Sequence, residues 1–114
     1  MSVGVSRGGI PYVIRDVVTT GVAPAGGRKI RLPFFINWLK VRASVNPCRI
    51  YFTEADFLEA GGTNYVVAPV AAAETPYGEW EGPVETCLSG NSDIWVRGDG
   101  GSSTIELVAF QRRG

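Results

Sequence analysis

Residues 37–45 alternate with a period of two: Leu39, Val41, Ala43 and Val45 fall on one side, and Trp38, Lys40, Arg42 and Ser44 on the other. Successive side chains of a strand point to opposite faces, so this segregation fits a strand with one face on a core and does not fit a helix. The apolar set is expected inward, and the long basic stems over solvent or a partner. The same period returns near the C-terminus. Ile94 and Val96 alternate within 93–97, and Ile105, Leu107 and Ala109 within 103–111, across a Gly98-Asp99-Gly100-Gly101 turn. That pattern predicts a hairpin.

The remaining chain breaks into short pieces of the same kind. Residues 11–20 carry Val13, Ile14, Val17 and Val18 and read as a first strand, and 21–27, with Pro24 and three glycines, as a loop. In 29–36, Ile30 and Leu32 oppose Lys29 and Arg31, and Pro33 makes the segment an edge strand or a bend. Asn46-Pro47 is a turn, after which 48–53 resumes β structure with Ile50 and Phe52 inward. The helix signal lies at 53–60: Thr53 can cap it, Glu54 and Asp56 suit its N-terminus, Phe57 and Leu58 can pack down, and Gly61-Gly62 ends it. Residues 64–68 read as a short strand, 69–78 as a loop, and 80–88 as a weak strand with Pro83 near its start. Ser89-Gly90-Asn91 turns the chain into the closing pair.

Glycine and proline explain how so many strands fit in 114 residues. There are 15 Gly and 7 Pro, above the ~12% usual for the two together, so tight turns are frequent. The length suits one domain with one core. The expected architecture is all-β: a single antiparallel β-sandwich or small barrel, jelly-roll-like, over 11–114, with one short helix. Residues 1–10, small and Gly-rich, read as a flexible N-terminal arm. The start lacks the apolar stretch of a secretory signal, and the apolar run 65–73 is about half a membrane span and broken by Pro69. The expectation is a soluble chain made in a cytoplasm.

The net charge is zero, yet unevenly spread. Residues 1–49 hold eight bases (Arg7, Arg15, Arg28, Lys29, Arg31, Lys40, Arg42, Arg49) and one acid, Asp16, whereas 50–108 hold ten acids and one base, Arg97. Early and late strands can lie side by side and neutralise each other, or the basic half can seek an acidic partner. Neither reading favours nucleic acid, since the basic residues form no dense cluster.

Catalytic chemistry finds no foothold in the sequence. There is no His, so the usual hydrolytic triad and a His acid–base pair are excluded. Glu79 and Glu81, with Glu85 beyond, could suggest two glycosidase carboxylates, but alternating acids on an exposed strand give the same pattern. No phosphate-binding loop is present, and Cys48 and Cys87 alone make a poor metal site. They can form one disulfide, or remain free thiols in a reducing compartment. No cofactor is expected. Arg97-Gly98-Asp99 spells a tripeptide that integrins read, and also what a turn needs. Trp38 and Trp95 fall opposite the aliphatic set, and Trp80 adds a third indole. They can complete a second core, anchor a protein interface or stack on sugars.

The run Asp93-Ile94-Trp95-Val96-Arg97-Gly98, the Gly/Ser turn and the strand Ser103-Thr104-Ile105-Glu106-Leu107-Val108-Ala109-Phe110-Gln111-Arg112-Arg113 resemble the closing hairpin of small virion proteins of tailed phages. Glu54-Ala55-Asp56-Phe57 leading to Asn64-Tyr65-Val66 is similar to the middle of such proteins. The resemblance covers about half the chain and implies a capsid decoration, or cement, protein on the virion surface, with a β-sandwich or barrel core and often a trimeric state. The implied partner is the major capsid protein, and neither nucleic acid nor membrane. The interface candidates are Arg7, Trp38, Lys40, Arg42, Trp95 and Arg97. A carbohydrate-binding or host-recognition module is the alternative.

Overall fold

The computed structural model describes residues 12–22, 25–33, 36–70, 78–84 and 92–111. Eight strands and one short helix follow in the order β1 (Tyr12–Val18), β2 (Arg28–Leu32), β3 (Trp38–Ser44), β4 (Cys48–Tyr51), α1 (Glu54–Leu58), β5 (Val66–Ala68), β6 (Gly78–Pro83), β7 (Ser92–Gly98) and β8 (Ser103–Phe110). They form two four-stranded sheets, β1-β8-β3-β6 and β2-β7-β4-β5, in which every ladder is antiparallel. The chain passes from one sheet to the other at every link except β4 to β5, where α1 intervenes. This interleaved order is that of a jelly roll, so the expected sandwich is present and its topology is specified.

The alternation in the sequence sets the core. Leu39, Val41 and Ala43 of β3, with Ile105, Leu107 and Ala109 of β8, point inward from the first sheet. Ile30, Leu32, Cys48, Ile50, Ile94 and Val96 meet them from the second. Burying each large aliphatic side chain contributes about 1.5–3 kcal/mol. Of the two readings Pro33 left open, the edge strand is the one observed: β2 lies at the edge of its sheet.

The predicted hairpin is not formed. β7 pairs with β2 and β4, and β8 with β1 and β3, so the two face each other across the core instead of lying side by side. A period of two identifies the inward face of each strand but carries no information on its lateral neighbour. The corner is unusually tight: a Cβ at Gly98 would stand 1.9 Å from the carbonyl oxygen of Gly101. The corner is tied to other loops rather than to β8. Gly98 N–H donates to Thr19 O (3.1 Å), Asp99 N–H to Pro47 O (2.8 Å), and Asn46 Nδ2 to Ser102 O (2.9 Å).

Three side chains expected inward are exposed. β3 ends at Ser44, and Val45, 73% exposed, takes φ +74°. Asn46 N–H returns to Ser44 O at 2.9 Å, closing a turn around a β-branched residue in a region such residues rarely enter. β4 ends at Tyr51, leaving Phe52 outside, and the single turn and a half of α1 buries Phe57 but not Leu58. The strand placed at 80–88 instead starts at Gly78 and ends at Pro83. Its later part, the turn 89–91, the 1–10 arm, Arg7, Cys87 and the C-terminal Arg112 and Arg113 lie outside the described residues.

The helix start matches its sequence signature. Thr53 has an extended backbone, its Oγ1 accepts from Asp56 N–H at 3.2 Å, and Phe57 N–H returns to Thr53 O. Thr53→Ala is expected to cost about 0.5–2 kcal/mol, measured as a lower urea midpoint. An unchanged midpoint would show that the turn is held by Phe57 alone.

Candidate binding faces

The expected interface residues divide between two opposite surfaces. Trp38, Lys40 and Arg42 lie on the outer face of the β1-β8-β3-β6 sheet, and Trp95 and Arg97 on the outer face of the β2-β7-β4-β5 sheet. They therefore do not form one patch.

On the first face the register lines up a row of alternating charge. Arg15 stands opposite Glu106, Glu106 opposite Arg42, and Arg42 opposite Glu79. The ion pairs follow that row: Arg15 to Glu106 at 2.6 Å, Arg42 to Glu79 at 3.0 Å and to Glu106 at 3.6 Å, with Lys40 reaching Glu79 at 4.0 Å. Trp38 Nε1 donates to Glu81. Glu79 and Glu81 are thus engaged by Arg42, Lys40 and Trp38, the arrangement of a solvated strand face. The other pairs also join early strands to late ones: Lys29 and Arg31 share Asp93, and Arg49 meets Asp99 at 3.0 Å. Arg28 instead pairs with Asp16, the one acid of the early segment. The lopsided sequence charge is neutralised mostly inside the fold, as strands from the two halves alternate within each sheet. Each exposed pair is worth about 0–1 kcal/mol, so the ladders and core hold the strands and the charges tune their surface.

The second face carries a small aromatic core of its own. Tyr51, Phe57 and Trp95 are buried together, with Val22 and Tyr65 packed against them. Tyr51 meets Phe57 edge-on, ring centroids 5.4 Å apart, and Tyr65 at 5.2 Å. Trp95, 8% exposed, therefore completes a second core rather than offering an open indole. Two guanidiniums cap the cluster. Arg49 Cζ lies 4.5 Å from the Tyr65 centroid, and Arg97 Cζ lies 5.1 Å from that of Tyr51 and 5.8 Å from that of Phe57. Hydrogen bonding from Arg49 Nη1 to the Tyr51 hydroxyl, with Asp99 adding to it, raises the guanidinium pKa further, so it stays charged. Arg97-Gly98-Asp99 is not a displayed tip: Arg97 lies on rings, Gly98 is buried and Asp99 is held by Arg49. Sequence reasoning placed Phe57 inward but did not join it to Tyr51 and Tyr65 in one cluster. The available signal was Ile50-Tyr51, two adjacent large side chains that a strand covered on both faces buries together.

An open groove of about 610 Å³ brings Phe52, Trp80, Pro83, Asp93 and Trp95 to one rim. Phe52 and Trp80 tilt against each other at 5.9 Å, while Asp93 is occupied by Lys29 and Arg31. Among the described residues, no group of three or more His, Cys, Asp or Glu is placed to hold a metal ion.

Cys48 is a buried free thiol on the inner face of β4. Burial pushes its pKa up to about 12, opposed by a weaker backbone hydrogen bond from Arg97. The unfolded thiol titrates near ~8.5, so above that pH the unfolded chain releases a proton that the folded chain keeps. The stabilisation is complete below the unfolded value and is lost as pH rises towards about 12. Denaturation curves between those limits should fall more steeply for the native chain than for Cys48→Ala. Parallel curves would show that Cys48 is not shielded.

Comparison with known protein families, with curated proteins and with solved structures finds no match.

Proposed function

We propose that this protein is a non-enzymatic structural component of a tailed-phage virion, a decoration protein that binds the major capsid protein and braces the shell, assembling as a trimer there. The jelly roll is an architecture shared by viral capsid domains and lectins, and a fold alone does not assign a function. The observation that carries the reading is the outer face of the second sheet. Arg49 and Arg97 lie half-buried there over a rigid aromatic core, and arginine is a residue type that protein interfaces favour. Repetition over a symmetric lattice would multiply a modest affinity per copy. Purified protein should co-sediment with undecorated capsids of its source virus and raise their melting temperature. No co-sedimentation at saturating protein would overturn the proposal.

One observation favours a second reading, recognition of carbohydrate. Trp80 and Phe52 tilt against each other at the rim of an open groove, and paired aromatic rings suit the faces of a sugar. Titration with oligosaccharides should then shift the Trp fluorescence, and an unmoved spectrum across a glycan panel removes the reading.

A further inference from the structure

Eight basic residues lie within the described parts of the chain, and seven of them face a carboxylate within 4.0 Å. The eighth is Arg97. Among the described residues its guanidinium has neither a carboxylate nor a hydrogen-bond acceptor, and it rests on the rings of Tyr51 and Phe57. Contact with ring faces uses none of the five N–H donors of a guanidinium.

Arg97 also stands directly opposite Arg49 in the β7–β4 ladder. Like charges in that position destabilise a sheet, and the one carboxylate paired with either of them, Asp99, is held by Arg49. Arg49 Nε is buried with no partner, a further donor left over. The cluster is thus short of one negative charge and has donors to spare. Glu54 on α1 and Glu59 just after it are exposed and make no ion pair with either arginine among the described residues.

We propose that Arg97, with Arg49 beside it, receives a carboxylate from an acidic segment of the partner protein, an Asp or Glu side chain that meets the N–H donors the guanidinium leaves unused over the Tyr51 and Phe57 rings. This rests on the reading of the protein as a capsid-binding module and names the chemistry its partner presents. The deficit of one charge matches a carboxylate better than a phosphate, which carries nearly two at neutral pH. Asp99 on Arg49 already shows a carboxylate held by this cluster. A guanidinium takes a carboxylate through two parallel N–H donors, which a lysine cannot reproduce.

The test uses acetyl-tetraglutamate amide as the probe, titrated into the full chain and followed through the Arg Nε–H resonances. The wild type should bind and weaken as salt rises. R97Q should bind about tenfold more weakly, the loss of one charge-assisted contact, and R97K should fall between the two. R15Q, on the opposite sheet, should match the wild type. D99N frees Arg49 and should bind more tightly, a gain that a misfolded variant would not give. Equal binding by R97Q and wild type overturns the proposal, as does displacement of the peptide by equimolar inorganic phosphate. Capsid co-sedimentation by R97Q decides separately. Wild type that binds peptide but no capsid rejects the virion role and keeps the carboxylate site. Wild type and R97Q that sediment alike keep the role and reject the site.

Discussion

Phe57→Ala is expected to lower stability by about 3–5 kcal/mol, the usual cost of removing a buried phenyl ring, read as a lower urea midpoint at unchanged slope. Phe57 is 1% exposed and is the buried residue of α1. Its ring covers Tyr51 edge-on and supports Arg97. It also lies so close to the chain at Gly27 that a Cβ there would stand 2.9 Å from its ring. Gly27 itself has φ +67°, so the loop before β2 is shaped around this side chain. Loss of the ring therefore releases the helix, uncovers Tyr51 and removes part of the shelf under Arg97. A cost below about 1 kcal/mol would show that α1 is not docked and that the outer cluster is not a second core.

Leu107→Ala should cost about 2–5 kcal/mol. Leu107 is fully buried at the middle of β8, opposite Ile14 on one side and Val41 on the other. Its neighbours are held by ladders on both sides and cannot easily close the space, which places the expected value in the upper half of that range. Val17→Ala, on the exposed side of β1, serves as the reference and should stay within about 0.5 kcal/mol of the native chain. Similar losses for the two variants would mean that the inward and outward faces are wrongly assigned.

The sequence and the structure agree where the information is local. The alternation at Leu39, Val41 and Ala43 identified an inward face because side-chain direction depends on neighbouring residues only. Thr53, Asp56 and Phe57 marked the helix for the same reason, since a cap involves atoms three residues apart. The uneven charge was legible as strands of the two halves lying together, as the Arg15–Glu106 and Arg42–Glu79 pairs do. Lateral pairing was not legible. Ile94 and Val96 would alternate against Ile105 and Leu107 in either arrangement, and the two differ only in which strands the ladders join. The same gap divided the candidate site. Nothing local to Trp38, Lys40 and Arg42 or to Trp95 and Arg97 reveals that the two groups occupy different sheets. Val45 went astray because a turn can end a strand before its periodic pattern ends.

The place of β8 between β1 and β3 bears on how the chain reaches its native state. The strand synthesised last among the described elements occupies the interior of its sheet, so β1 has no lateral partner until β8 has been made. Local hairpins cannot nucleate the fold either, since consecutive strands belong to opposite sheets everywhere but at β4 and β5. The ordering entropy of long loops must be met before non-local pairing rewards it, which places folding in the ~millisecond-to-second range of such topologies. A chain truncated before β8 would leave β1 and β3 with bare edges facing each other, a state prone to pair with a neighbouring molecule.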